Sequence, residues 1–259
     1  MNNNLSAGSL KKIFSYPFHD ANWPRKFVIG SLVTLPSLLI PILPAVFLFG
    51  YYARIFKDIV VREAEPSLPA WEDWETLFMD GLRVFGVWII YFLPGILLFG
   101  FSYLILFFVA LLDSLASSTG VQALLPFFGM SGMMGFLGFA ILYALVISFI
   151  LPAVIGRVIV HDDFFAGFRI GAWWPILKAN LLGFFISIVI LLGLVMVTQF
   201  LVQFLYFTIF LCCLIPFVLS PVLFYITIIA APLFGRNYLE GVAASPGDQA
   251  QGAAVEPSI

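Results

Sequence analysis

The distribution of positive charge is the feature that most constrains this fold. All twelve Lys and Arg residues fall in four strips, at Lys11–Lys26, Arg54–Arg83, Arg157–Lys178 and Arg236. The blocks Phe27–Ala53 and Ala179–Gly235 carry no charge, and Val84–Gly156 carries only Asp113 in 73 positions. Hydrocarbon excludes charge, and a spanning helix needs about 20 apolar residues. The pattern therefore predicts an all-α fold, a polytopic transmembrane helical bundle.

Composition supports this class of protein. The 259 residues are 62% hydrophobic and only 10% charged, whereas a soluble domain carries roughly 25% charge. We expect a single integral membrane domain over residues 13–239, a flexible N-terminal tail over 1–12 and a disordered C-terminal tail over 240–259. A net charge of −2 and few, dispersed cations argue against nucleic acid. The expected partners are the lipid bilayer and other membrane proteins, or self-association.

Topology follows from the rule that cytoplasmic loops are enriched in Lys and Arg. If every apolar block enters and leaves at one face, all twelve cations lie on that face. This arrangement predicts three helical hairpins in the cell membrane, with both termini cytoplasmic. In the second block we expect spans near Val84–Leu112 and Gly132–Gly156 around an outer loop, Asp113–Ser131. In the third, we expect spans near Ala179–Tyr206 and Thr208–Gly235.

The first block, Phe27–Ala53, leaves three alternatives. As one helix it would be about 40 Å long, which is generous for one span and short for two. Its centre carries Pro36, Pro41 and Pro44, and proline breaks helices. Two short legs, Pro24–Ile40 and Ile42–Asp58, a re-entrant hairpin and a single kinked span all remain possible. The total is therefore four to six membrane segments.

A polar stub precedes each predicted hairpin, at residues 18–26, 71–83 and 161–178. In each stub acidic residues come first, aromatic residues follow and a cation stands where the chain meets the membrane. Such stubs are typical of amphipathic interfacial helices. Asp73 and Asp163 are expected near helix N-termini, which favour negative charge. The similarity indicates either an internal threefold repeat or the same residue preference wherever a chain meets a membrane.

The most distinctive stretch is residues 66–82, Pro-Ser-Leu-Pro-Ala-Trp-Glu-Asp-Trp-Glu-Thr-Leu-Phe-Met-Asp-Gly-Leu. It follows Gly-Tyr-Tyr-Ala-Arg at residues 50–54, and an earlier Phe-Ser-Tyr-Pro-Phe begins at residue 14. Together these segments resemble the domain-of-unknown-function family 4013, a group of prokaryotic multi-pass membrane proteins. The resemblance covers roughly Leu10 to Arg236 and rests mainly on Pro69, Trp71, Asp73, Trp74 and Gly81. It implies an integral membrane domain without an established activity and brings no catalytic residues.

Few polar residues are candidates for chemistry. His161, Asp162 and Asp163 form a cluster, and His19 with Asp20 occupies the equivalent place before the first hairpin. If the two groups met, they would suffice for a metal. The alternative is that they cap helices at the interface. Acidic residues 72, 73, 75 and 80 diverge around a helix, so helix electrostatics explains them better than a cation site.

Three features inside the apolar blocks have a structural and a functional interpretation. Asp113 is either an intramembrane functional carboxylate or a solvated helix end. Gln199 and Gln203 share a helix face and either line a polar path or hydrogen-bond a neighbouring helix. Glycine recurs at every third position and favours close helix packing or a kinked or mobile start to this span: Gly129, Gly132, Gly135 and Gly138.

No protease, hydrolase, P-loop or dinucleotide motif is present in the sequence. We therefore expect no catalytic residue, cofactor or metal. The favoured hypothesis is a non-catalytic scaffold or accessory subunit. The alternative is a transporter or channel for a neutral or apolar solute. The prolines within spans and the possible repeat support this alternative. A lipid-active enzyme using His161, Asp162 and Asp163 is the third hypothesis.

Overall fold

The computed structural model describes residues 7–115, 119–206 and 213–245. These residues form helices and turns and contain no strand. The α-helices are α1 Ala7–Ser15, α2 Trp23–Thr34, α3 Ile42–Val60, α4 Trp74–Leu115, α5 Thr119–His161, α6 Ile170–Ala179, α7 Leu181–Tyr206 and α8 Ile215–Ala244. Short 3₁₀ helices at Tyr16–Phe18, Leu35–Leu38 and Phe164–Phe168 connect some of them.

Four helices are long and apolar enough to cross a membrane: Trp74–Leu115, Leu125–His161, Leu181–Tyr206 and Ile215–Ala244. Their lengths of 26 to 42 residues exceed the roughly 20 that the hydrocarbon core requires. The predicted class, an all-α polytopic membrane protein, is confirmed.

The first apolar block forms a hairpin with a proline-rich turn. Phe27 and Gly30 of α2 and Tyr51 of α3 all contact the same side chain, Phe224 of α8. The start of α2 and the second half of α3 therefore lie side by side, which makes the interpretation as a single kinked span wrong. Two short legs and a re-entrant hairpin both fit this fold-back and stay predictions. With 12 residues, α2 is about 18 Å long, shorter than the roughly 30 Å hydrocarbon core.

The second hairpin corrects two predictions. The expected outer loop Asp113–Ser131 is helical except for residues 116–118, which lie outside the described residues, because α4 runs to Leu115 and α5 starts at Thr119. The second stub is also not a separate interfacial helix, since α4 begins at Trp74 and continues into the span. Serine and glycine mark loops in many soluble proteins, but here both segments are continuous with a long apolar helix, which satisfies its backbone hydrogen bonds internally.

The third stub forms its own helix, as predicted: α6 ends at Ala179, and α7 starts two residues later. The second span of this hairpin starts later than expected, at Ile215 rather than Thr208, and Pro216 stands in its first turn. Proline is well suited to the first turn because that turn needs no N–H donor. Residues 207–212, including Cys212, lie outside the described residues.

Both predicted tails are shorter than expected. Residues 7–12 belong to α1, which is anchored by Ile13, a residue whose exposed fraction is only 1%. Residues 240–244 belong to α8, where the Glu240 carboxylate accepts a hydrogen bond from Asn180 Nδ2 at 2.9 Å. The rest of the tails, residues 1–6 and 246–259, lies outside the described residues.

The chain divides into two compact units, one made of Met1–Val87 and Pro152–Ile259 and the other of Trp88–Leu151. In the second unit α4 and α5 pair: Tyr143 Oη donates to the Tyr91 carbonyl at 2.9 Å, and Gly129 packs against Val109. In the first unit buried aromatic and aliphatic side chains surround α8. Because α4 and α5 run through both units, the single-domain assignment to 13–239 stays a prediction.

The first unit also shows that the chain doubles back. Arg83, near the start of α4, lies 3.7 Å from Asp162, just after α5. Asn237, near the end of α8, donates to the Gly183 carbonyl near the start of α7 at 3.0 Å. Because α2 and α3 also fold back on each other, the two ends of each hairpin lie close together. We call the charged segments at these hairpin ends the polar end of the first unit.

Candidate functional site

The family-like motif anchors the segment between α3 and α4. The Trp71 ring stacks on Tyr51 with centroids 4.3 Å apart and planes at 14°. Trp71 Nε1 donates to the Lys26 carbonyl at 2.9 Å, and Tyr51 Oη donates to the Pro69 carbonyl at 2.9 Å. Phe224 of α8 packs against both rings. The motif therefore connects both ends of the first hairpin to α8 through buried aromatic contacts.

Gly81, the last motif residue, sets how closely α3 and α4 cross. A Cβ atom at Gly81 would overlap the Val46 carbonyl oxygen, and one at Gly50 would overlap the Leu77 carbonyl oxygen. The two backbones thus touch where both helices lack side chains, an arrangement that favours tight membrane-helix packing. Asp73, with a φ of 52°, stands directly before α4, as expected. Aspartate tolerates this left-handed conformation better than most residues.

A charge cluster forms where α3, α4 and α5 meet. Lys57 Nζ lies 2.5 Å from Asp162 Oδ2, and Arg83 is 3.7 Å from the same carboxylate. Arg83 also pairs with Asp80 at 3.0 Å. Because these side chains remain partly exposed, each pair contributes modestly to stability. Their main effect is to hold the ends of three helices together at the polar end.

The structure gives the predicted His–Asp pairs separate, local roles. Asp20 is ion-paired with Lys26 and accepts from the Asn22 backbone N–H at 2.8 Å. The hydrogen bond from Lys26 and that from Asn22 lower the pKa of Asp20 below its ordinary value. His19 Nδ1 donates to the Ser15 carbonyl at 2.7 Å. Asp163 caps the following 3₁₀ helix by accepting from Phe165 N at 3.0 Å.

Asp163 therefore caps a helix, whereas the hydrogen bond from Asn22 to Asp20 lies in the turn before α2. His161 is the last residue of α5, and Asp162 belongs to the charge cluster. In the part of the chain that the structure describes, no group of three or more His, Cys, Asp or Glu side chains is placed to hold a metal ion.

The polar candidates within the apolar blocks are spread apart. Gln199 and Gln203 are exposed on α7. Asp113 lies in the last turn of α4, and its Oδ1 atom is buried without a hydrogen-bond partner. In the glycine row, Gly129 packs against Val109 and Gly132 contacts Ile105, but a Cβ at Gly135 or Gly138 would meet open space. The predicted close packing therefore holds for the first half of the row only.

Sequence reasoning missed a buried polar network that joins α7 to α8. Asn237 is 1% exposed, and its Nδ2 donates to the Gly183 carbonyl at 3.0 Å and to Ser187 Oγ at 2.7 Å. Asn180 Nδ2 donates to the Asn237 carbonyl and to Glu240, and its Oδ1 accepts from Gly183 N. The signal was available: Asn180 is the second residue of the third uncharged block, and Asn237 follows the end of that block by two residues.

The fold and this polar end define the class of protein, a multi-pass helical membrane protein. Comparison with known proteins then identifies the family. The model of the family described as protein of unknown function (DUF4013) matches residues 35–207, so the chain belongs to this family. The match includes the Leu-Pro-x-Trp motif, Gly81 and the charge cluster but not His19 or Asp20. Neither the curated proteins nor the solved structures contain a match to the chain.

Proposed function

We propose that the protein is a non-catalytic scaffold or accessory subunit of an assembly in the cell membrane, with both termini cytoplasmic. One observation carries the proposal. In the alternative hypothesis a transport path would be lined by Gln199, Gln203, Thr198 or Ser148. Gln199, Gln203 and Ser148 are instead exposed, and Thr198 donates to the Leu194 carbonyl of its own helix at 2.8 Å. The interior of the first unit is instead filled by large apolar side chains such as Phe56, Phe184 and Tyr238.

The ionisable residues support a structural rather than a catalytic role. The Asp162 carboxylate is engaged by Lys57 and Arg83, and Asp163 is engaged by a backbone N–H. A general acid or base must instead be within reach of a substrate proton. We infer that these groups hold helix ends in place.

The second unit supplies the surface for an association. Its two helices expose large apolar side chains along their length, among them Phe107, Phe128 and Phe139. Gly135 and Gly138 add a flat strip on α5 beside which another helix can approach closely. A partner membrane protein, or a second copy of the chain, would bury this strip. Contact with lipid alone would not require small residues there.

A pair of leucine substitutions tests this proposal. Gly138→Leu places a bulky side chain on the open strip, and Gly100→Leu does the same on α4, where a Cβ also meets open space. We expect Gly138→Leu to shift the protein to a smaller complex on native electrophoresis in mild detergent, and Gly100→Leu to leave the complex intact. A monomeric wild-type chain that carries a neutral solute such as glycerol into proteoliposomes would refute the scaffold and favour the transporter.

Cysteine labelling tests the orientation. In a Cys212→Ala, Cys213→Ala background, Arg169→Cys marks the polar end and Ser114→Cys marks the opposite end of α4, where Ser114 is exposed. An impermeant maleimide applied to intact cells is expected to label Ser114→Cys only. Labelling of Arg169→Cys from outside would invalidate the cytoplasmic assignment, because positive loops would then face outward.

A further inference from the structure

The N-terminal helix α1 carries its cations on one side and its anchor on the other. Ile13 is almost fully buried, whereas Lys11 and Lys12 are exposed. Two tyrosines hold the segment down: Tyr225 Oη donates to the Phe14 carbonyl at 3.0 Å, and Tyr16 Oη donates to the Ile228 carbonyl at 2.8 Å. Since Tyr225 and Ile228 belong to the span α8, α1 is fixed directly beside a membrane-crossing helix.

A cleft of about 530 Å³ lies beside this helix. Its basic lining comes from both ends of the sequence and consists of Lys11, Lys12, His19 and Arg236. Its floor includes the buried residues Ile13 and Tyr16. Glu65 is the one acidic residue among those that line the cleft.

The charge of the cleft is poorly compensated. Glu65 lies 3.8 Å from Arg236, but its side chain is 90% exposed, so this pair is weak. Among the ion pairs that the described residues form, none involves Lys11 or Lys12. Three permanent positive charges thus face one solvated carboxylate. His19 adds a ring whose Nδ1 is engaged by the Ser15 carbonyl, which leaves Nε2 as its second polar atom.

We propose that this cleft binds the phosphate headgroup of an anionic membrane lipid. Lysine and arginine clusters beside membrane helices attract acidic headgroups, and arginine forms charge-assisted hydrogen bonds with phosphate oxygens. A lipid is favoured over a soluble phosphate because Arg236 of the span α8 lines the cleft and because Phe18, an exposed aromatic residue, directly precedes His19 of the lining. Phe18 is 46% exposed and packs against Trp23 and Tyr225, where it offers an acyl chain an apolar surface.

Native mass spectrometry of the full chain in mild detergent tests the site. The probes are phosphatidylglycerol, phosphatidylcholine and soluble glycerol phosphate. We expect a tightly retained phosphatidylglycerol, weaker phosphatidylcholine and no retained glycerol phosphate. Each surface cation contributes about 1 kcal/mol to binding an acidic headgroup, which corresponds to about fivefold in affinity. Lys11→Gln with Lys12→Gln should therefore weaken phosphatidylglycerol binding about 25-fold, and Arg236→Gln about fivefold.

Two further variants keep the test decisive. Glu65→Gln removes the one acid of the lining and should strengthen phosphatidylglycerol binding several-fold, a gain that damaged folding cannot produce. Arg169→Gln removes an exposed cation outside the cleft and should change the affinity less than twofold. Equal binding of both lipids, or an Arg169→Gln loss as large as that of Arg236→Gln, would overturn the site. Glycerol phosphate bound as tightly as the lipid would overturn the membrane source.

Discussion

Replacing Gly81 with alanine tests how closely α3 and α4 approach each other. The new Cβ would overlap the Val46 carbonyl oxygen and lie 2.8 Å from both the Gly50 nitrogen and the Val46 carbonyl carbon. Attractive contacts between heavy atoms lie at about 3.5–4.0 Å. The obstructing atoms are backbone and cannot rotate away, so the helices must separate to relieve the contact with the Val46 oxygen. This separation also loosens the aromatic pair Phe47–Phe78, whose rings lie 5.6 Å apart across the crossing.

The expected free-energy change has two opposing parts. Overpacking a tight contact costs about 1–3 kcal/mol, and we take about 3 because backbone atoms are displaced. Alanine in place of glycine in a helix returns about 1 kcal/mol. Gly81→Ala should therefore destabilise the fold by about 2 kcal/mol. Gly100→Ala, on the same helix with open space around it, should stabilise it by up to about 1 kcal/mol.

Reversible unfolding in mixed micelles, with increasing dodecyl sulfate and circular dichroism as the readout, measures both variants. The two variants are predicted to differ by about 3 kcal/mol, with Gly81→Ala less stable and Gly100→Ala more stable than the wild type. The double variant Gly50→Ala/Gly81→Ala should cost less than the sum of the single variants, since one separation of the helices relieves both overlaps. A Gly81→Ala stability within about 0.5 kcal/mol of Gly100→Ala would refute the backbone contact.

Three further substitutions probe the polar contacts in the same unfolding assay. Asp162→Asn removes the charge but keeps a side chain that tolerates the φ of 51°. It should lower the free energy of unfolding by about 0.5–1 kcal/mol, and by less at high salt. A loss of stability that does not depend on salt would contradict the ion pairs. Asn237→Leu should lower the free energy of unfolding by about 1–2 kcal/mol because Ser187 and the Gly183 carbonyl lose their donor. Asn22→Leu is the exposed control, and an equal loss of stability in both variants would refute the network. Since the pKa of Asp20 is lowered by Lys26 and Asn22, its stabilisation is present above about pH 4 and is lost as the pH falls below that. Asp20→Asn should therefore lose less stability than the wild type between pH 5 and pH 3, and parallel pH curves would exclude this linkage.

The hairpins could be predicted from sequence because the exclusion of charge from hydrocarbon outweighs local preferences. The same physics explains the two errors in the second hairpin. Residues 113–131 have the serine and glycine content of a loop, and Trp74–Arg83 has the polarity of a separate stub, yet the described parts of both, residues 74–83, 113–115 and 119–131, are helical. In both places the helix is continuous with a span, and an unbroken helix satisfies its backbone groups internally whether or not water is present, so composition that predicts a loop in a soluble protein is a poor guide here.

The packing contacts could not be predicted, because they join residues far apart in sequence. Gly50 and Gly81 lie in different helices, and nothing local indicates that their backbones meet. The partnership of Asn180 with Asn237 spans 57 residues. The basic cleft combines Lys11 with Arg236, from opposite ends of the chain. In each case the sequence contained the right residue types, and only the three-dimensional structure brought them together.

The positions of the charges explain how one polar end organises three hairpins. Lys57 after the first hairpin reaches Asp162 after the second, and Arg236 of the third reaches Glu65 in the segment between the first two. Residues kept in water by the cost of burying charge thus also fix the hairpins relative to each other at this end. Individual pairs contribute little, but each is formed between elements that the membrane already holds close together.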